Sequence, residues 1–139
     1  MTADDEPVEI RAVLDTSAVL SYTRGHVHIG ELLVDIADEG AYVGLPTVVL
    51  LDAHARLLGD AAGRARLDVL VALPGIAVLT LGADEATGAA ANVPGADHDL
   101  ARAHAVWAAL YHGAYYLTTG PAPKAFPEDQ VHEIPIADA

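Results

Sequence analysis

The chain contains no cysteine. That excludes disulfides and thiolate metal sites, and it permits an intracellular home. Lysine occurs once, at Lys124, and Lys and Arg together number 7 against 20 Asp and Glu. The formal net charge of −13 counts against a general nucleic-acid binder, because non-specific affinity for polyanions comes from Lys and Arg neutralising phosphates. It leaves room for an acidic site that carries a divalent cation, since the ion reverses the local field. No wholly apolar run approaches the ~20 residues that a membrane helix needs. The first residues, Met1-Thr-Ala-Asp-Asp-Glu-Pro7, lack the basic and apolar parts of a signal peptide. The expectation is a soluble, cytoplasmic protein with no membrane partner. Aromatic residues make up only 5% of the chain, so Ala, Val and Leu must fill the core.

What is present is a regular alternation. The 139 residues suit one domain with one core. Residues 1–8 read as a disordered tail, and 9–139 as a single domain. Strands are expected at Ile10–Leu14, Ala41–Leu45, Ile76–Leu81, Ala114–Thr118 and Val131–Ile136. Helices are expected at Thr16–Tyr22, Val27–Glu39, Thr47–Leu58, Arg64–Leu73, Asp84–Ala91 and Asp97–His112. In the second helix Ile29, Leu32, Leu33 and Ile36 recur at helical spacing, with Glu31, Asp35 and Asp38 on the other side. The last and clearest helix is read as capped by Asp97 and ended by Gly113. Strands that alternate with helices imply an α/β fold with a mostly parallel sheet covered on both faces.

The stretch Arg11-Ala-Val-Leu-Asp-Thr-Ser-Ala-Val-Leu20 organises the chain. An apolar strand ends on Asp15, and Thr16 and Ser17 open a helix. Asp15 then sits at the carboxyl end of a strand, where open α/β sheets bind ligands. Asp52, in the third helix, and Asp97 and Asp99, at the start of the last one, converge on the same edge if the sheet is parallel. Carboxylates held close repel one another, and a shared Mg²⁺ or Mn²⁺ relieves the repulsion. Each acid also has a plainer reading. Asp15 caps a helix, Asp52 pairs with Arg56 four residues on, and Asp97 and Asp99 complement a helix dipole. Arg56, Arg64 and Arg66 with His54 form the one basic neighbourhood, a guide for RNA or a solvated helix face. The seven histidines show no metal-ligand spacing and read as surface or cap residues. Trp107, Tyr111, Tyr115 and Tyr116 read as core or dimer interface more than as a base-stacking platform.

Val13-Leu-Asp-Thr-Ser-Ala-Val-Leu20 resembles the opening of a PIN domain. Further landmarks resemble that family in order: Leu45-Pro46 followed by Asp52, the Ala-rich Asp99-Leu-Ala-Arg-Ala-His-Ala105, the strand Gly113-Ala-Tyr-Tyr-Leu-Thr-Thr-Gly120, and a closing strand at Val131–Ile136. The VapC-type toxins of toxin–antitoxin pairs are the group most similar in these features. The resemblance implies a three-layer α/β/α PIN-like fold. It also implies an endoribonuclease in which acids hold Mg²⁺ or Mn²⁺ and a metal-activated water cuts RNA. On this sequence Asp15, Asp52 and Asp99 would be the ligands, Ser17 and Thr118 supporting hydroxyls, and Asp97 the alternative third acid. A homodimer and an antitoxin partner are implied as well. Two positions depart from the family pattern. Asp52 stands where the family usually has Glu, and Gly120 stands where it has a fourth Asp. A second reading follows from those departures: a PIN-like domain that has lost catalysis and works by binding a protein.

Overall fold

The computed structural model describes residues 8–124 and 126–133. Residues 1–7, over which the tail is expected, lie outside them, as do residues 134–136 of the expected closing strand. Five strands form one sheet: β1 (Ile10–Leu14), β2 (Tyr42–Pro46), β3 (Ile76–Leu79), β4 (Tyr115–Thr118) and β5 (Val131–Glu133). Six helices connect them: α1 (Thr16–Thr23), α2 (Val27–Asp38), α3 (Thr47–Arg56), α4 (Ala61–Ala72), α5 (Ala83–Ala91) and α6 (Leu100–His112). The sheet order is β3-β2-β1-β4-β5, and every pairing is parallel. The expected mostly parallel sheet is thus wholly parallel among the described residues, and its helices form the outer layers of an α/β/α sandwich.

Burial explains the strand composition. Parallel strands covered on both faces read as continuous apolar runs. Ala12, Val13 and Leu14 of β1 are all buried, as are Val43 and Leu45 of β2 and Tyr116 and Leu117 of β4. Of the four apolar positions at helical spacing in α2, Ile29, Leu33 and Ile36 are buried and Leu32 is half-buried against the same core. Helix α6 packs against β1, β2, β4, α3 and α5. Seven of its thirteen residues are buried, five of them Ala. Small side chains let this helix approach its neighbours closely, which is why a chain poor in aromatics still packs densely.

The chain winds from β1 through β2 to β3 on one side, then crosses to place β4 and β5 on the other. The reversal falls between β1 and β4. Ala12, Val13 and Leu14 lie beside Tyr115, Tyr116 and Leu117. A crevice opens outside the carboxyl ends of two such strands. Asp15 follows one of them and Thr118 ends the other, so the topology delivers both to one place.

Several boundaries differ from the sequence reading. Helix α6 begins at Leu100, not Asp97. Asp97 and His98 both adopt left-handed backbone, with φ of 58° and 57°, which no right-handed helix accommodates. Helix α4 begins at Ala61, because Asp60 caps it by accepting from Gly63 N–H at 2.9 Å. Helix α3 starts at the expected Thr47, with Pro46 in the cap position, but ends at Arg56 instead of Leu58. Strand β3 ends at Leu79. Gly113, at φ 62°, ends α6 in the left-handed conformation that favours glycine, as expected.

Candidate functional site: a charge-balanced pocket at the strand reversal

Asp15 is placed by the end of β1 and is only 4% exposed. Its Oδ1 accepts hydrogen bonds from Ser17 Oγ at 2.6 Å and Ala18 N–H at 3.0 Å. The second of these caps α1. Its Oδ2 accepts from the Tyr116 hydroxyl at 3.1 Å. Both readings of Asp15 therefore hold together: it caps a helix, and it faces the crevice. Ser17 ties the two strand ends together. Its Oγ lies 3.2 Å from Thr118 Oγ1 and accepts from Thr119 N–H at 3.0 Å. Thr118 Oγ1 in turn accepts from Gly120 N–H at 3.1 Å. The two hydroxyls expected to support the site do meet.

Around them lies a cavity of about 250 Å³, walled by Asp15, Ser17, Asp99, Thr118 and Gly120 together with Arg56 and Arg102. Asp99 reaches it as the cap of α6, with Oδ1 accepting from Arg102 N–H at 3.0 Å. Asp97 lies on the rim. Asp52 is not part of the lining. Its Oδ1 instead accepts from Arg56 Nε at 3.1 Å, one helical turn on. Of the three basic residues singled out in the sequence, only Arg56 lines the cavity. Arg64 is exposed on α4. Arg66 donates to the Thr23 carbonyl at 3.0 Å and lines a separate hollow beside Tyr22 and His26.

Two residues of the site were not assigned to it from sequence: Arg102 and Tyr116. Arg102 lies three positions after Asp99, one turn along the same helix face. Tyr116 lies two positions before Thr118 and therefore on the same face of its strand. Those spacings were the available signals. The Arg102 guanidinium donates from Nε to Tyr116 Oη at 3.3 Å, from NH1 to Asp97 Oδ2 at 2.8 Å, and from NH2 to the Pro121 carbonyl. NH2 also lies 4.0 Å from Asp15 Oδ2. Burial disfavours its charge, but the Tyr116 hydrogen bond and the charges of Asp15 and Asp97 outweigh that and raise its pKa. Arg102 is therefore a permanent cation. Burial, then the Asp15 charge, push the Tyr116 phenol well above its ordinary value, so it remains a donor to Asp15.

This arrangement can be tested against the Mg²⁺ or Mn²⁺ that the family resemblance implies. Such an ion needs several oxygen ligands close to one point, and Mg²⁺ wants them at ~2.0–2.1 Å in octahedral geometry. Among the described residues no three His, Asp or Glu side chains come together closely enough to hold a metal ion. Asp15 already accepts on both oxygens, Asp52 is paired with Arg56, and Gly120 brings no carboxylate. The Arg102 guanidinium stands between Asp15 and Asp97. As arranged, these residues do not fit a carboxylate-held dication.

The histidines lie apart from the site. His104 is a core residue, 1% exposed, a correction to its reading as a surface or cap residue. Its Nδ1 accepts from Val48 N–H at 3.4 Å, and Nε2 has no hydrogen-bond partner among the described residues. Desolvation lowers its pKa, so it is neutral at physiological pH. Of the aromatic cluster, Tyr116 is core, Trp107 and Tyr111 stack at 5.1 Å, and Tyr111 and Tyr115 are exposed.

No protein-family model matches the sequence, and no curated protein matches it. Solved structures do match the fold. A chain of the crystal structure of VapBC2 from Rickettsia felis bound to a DNA fragment from their promoter superposes with a TM-score of 0.70. The match covers 89% of this chain and 98% of that one, at 11% identity. A chain of a toxin–antitoxin complex from Klebsiella pneumoniae superposes with a TM-score of 0.64, covering 88% of this chain and 99% of that one, at 15% identity. No helix among the described residues is long and apolar enough to cross a membrane. The parallel sheet and its covering helices agree with the α/β/α architecture that the sequence landmarks imply: this chain has the PIN-like fold, shared with these toxin–antitoxin structures.

Proposed function

We propose that the chain is a toxin-type PIN-like domain that has lost metal-dependent RNA cleavage and works by binding a protein partner of the antitoxin kind. The observation that carries this reading is the charge balance of the pocket. The two acids that line it, Asp15 and Asp99, share it with two arginines: Arg102, 4.0 Å from Asp15, and Arg56, which is itself paired with Asp52. The position where the fold's nucleases would add an acid is Gly120. A site built to activate water on a dication gathers carboxylates and leaves them unpaired, whereas this one supplies its own cations. The similarity to toxin–antitoxin complexes supports a protein partner, and the net charge of −13 suits a basic one. A homodimer, also implied by the resemblance, belongs to the same proposal and is measured by sedimentation velocity.

The test is cleavage of several structured RNAs with Mg²⁺ or Mn²⁺, beside an Asp15→Asn control. The proposal expects no metal-dependent cleavage by the natural chain. It also expects a complex, weakened by salt, with the protein encoded next to it. Cleavage that needs the metal and vanishes in Asp15→Asn would return the domain to the nucleases, with Asp15, Asp52 and Asp99 as candidate ligands and Arg56, Arg64 and Arg66 as candidate RNA contacts.

A further inference from the structure

We infer that the Arg102 guanidinium is the resident cation of this pocket, taking the place that a divalent ion would otherwise hold among the acids at the strand reversal. The inference deepens the reading of the domain as a non-nuclease and rests on it. The surroundings of the guanidinium carry the argument. It is ringed by oxygens: the Tyr116 phenol, the Pro121 carbonyl, an Asp97 carboxylate oxygen at 2.8 Å and Asp15 Oδ2 at 4.0 Å. Two carboxylates, a phenol and a carbonyl are the neighbours that a hard cation takes. A planar guanidinium with five donors serves them from one side chain and cannot be deprotonated.

A second observation lies in the backbone. Asp97 and His98 are consecutive non-glycine residues in left-handed conformation, just before α6. Asp and His enter that conformation more readily than most non-glycine residues. Here it carries the Asp97 carboxylate to the outer face of Arg102, while Asp99 takes over the cap. The loop is thus shaped around the arginine. Gly120 completes the logic. With no fourth acid there is less negative charge to neutralise, and a single positive charge suffices.

The test is calorimetric titration of MnCl₂ into the full chain and three variants: Arg102→Met, Arg102→Lys, and Arg102→Met combined with Asp15→Asn. The natural chain and Arg102→Lys should show no saturable binding. Arg102→Met should bind Mn²⁺ at least tenfold more tightly than the limit set by the natural chain, and adding Asp15→Asn should abolish this. Mn²⁺ should also raise the melting temperature of Arg102→Met and leave that of the natural chain unchanged. Should Arg102→Met not fold alone, Arg102→Gln is examined beside it. Folding of either variant restored by Mn²⁺ supports the inference. Failure of both to gain binding or folding with Mn²⁺ overturns it, and so does Asp15-dependent Mn²⁺ binding by the natural chain. The two claims fail separately. Metal-dependent RNA cleavage by the natural chain overturns the proposed function. An inactive natural chain whose Arg102 variants gain no metal overturns only the role of Arg102.

Discussion

At the scale of single residues, Tyr116 bears more of the site than its place in an apolar strand suggests. Its hydroxyl donates to Asp15 and accepts from Arg102, in a fully buried position. Tyr116→Phe keeps the ring and removes only the link. Leaving buried charged groups short of a partner costs about 1–3 kcal/mol. Urea unfolding should therefore show a loss of stability of that order, and a loss below about 0.5 kcal/mol would show that the link is idle. Ser17 was named through the family resemblance, and its hydroxyl does join Asp15 to the end of β4. Arg102 was not named for the site. In sequence it is one of seven basic residues, and only the register of α6 tells that it points inward. The cap of α6 read at Asp97 falls instead to Asp99, because Asp97 and His98 adopt left-handed backbone ahead of the helix.

Elements were legible where burial and capping agree. Strand β1 runs over the expected Ile10–Leu14, and α6 ends beside the expected Gly113. Starts were harder, because several polar residues compete to cap and the choice depends on packing. Asp60 took the start of α4, and Asp99 that of α6. Helix α6 carries its own pH dependence through His104. Burial lowers its pKa in the folded chain below the ordinary ~6.5 of an unfolded one. The unfolded state then binds the proton more readily, so stability is complete above that value and is lost as pH falls through it. His112 is shifted the same way, also by burial. Melting temperature should fall between pH 7.5 and 5.5, and His104→Gln should flatten the slope. An unchanged slope in that variant would mean that His104 is charged in the fold or that its burial costs nothing.

For the whole molecule, the order of landmarks carried the fold further than any single motif. Five short features in sequence, each weak, together imply a three-layer α/β/α fold, and the parallel sheet β3-β2-β1-β4-β5 with its helices has that architecture. Function was less legible, because it turns on which charges meet across the crevice. Composition alone does have one consequence at this scale. A net charge of −13 makes the folded surface repel itself, and salt screens that repulsion. Exposed pairs such as Arg11 with Glu9 and Glu39 are weakened by salt as well, but each is worth little. Melting temperature should therefore rise by roughly a few degrees as NaCl goes from 20 to 500 mM, since about 1 kcal/mol moves a domain of this size by some 4 °C. A fall would mean that attractive pairs dominate the surface.

The central claim is that the pocket at the strand reversal is neutralised from within. Calorimetric titration of Mn²⁺ into the natural chain, beside Asp15→Asn, tests it without any guess at a substrate. The account expects no saturable heat from either protein. Saturable binding by the natural chain that disappears in Asp15→Asn would contradict it, and would make the acids a working metal site.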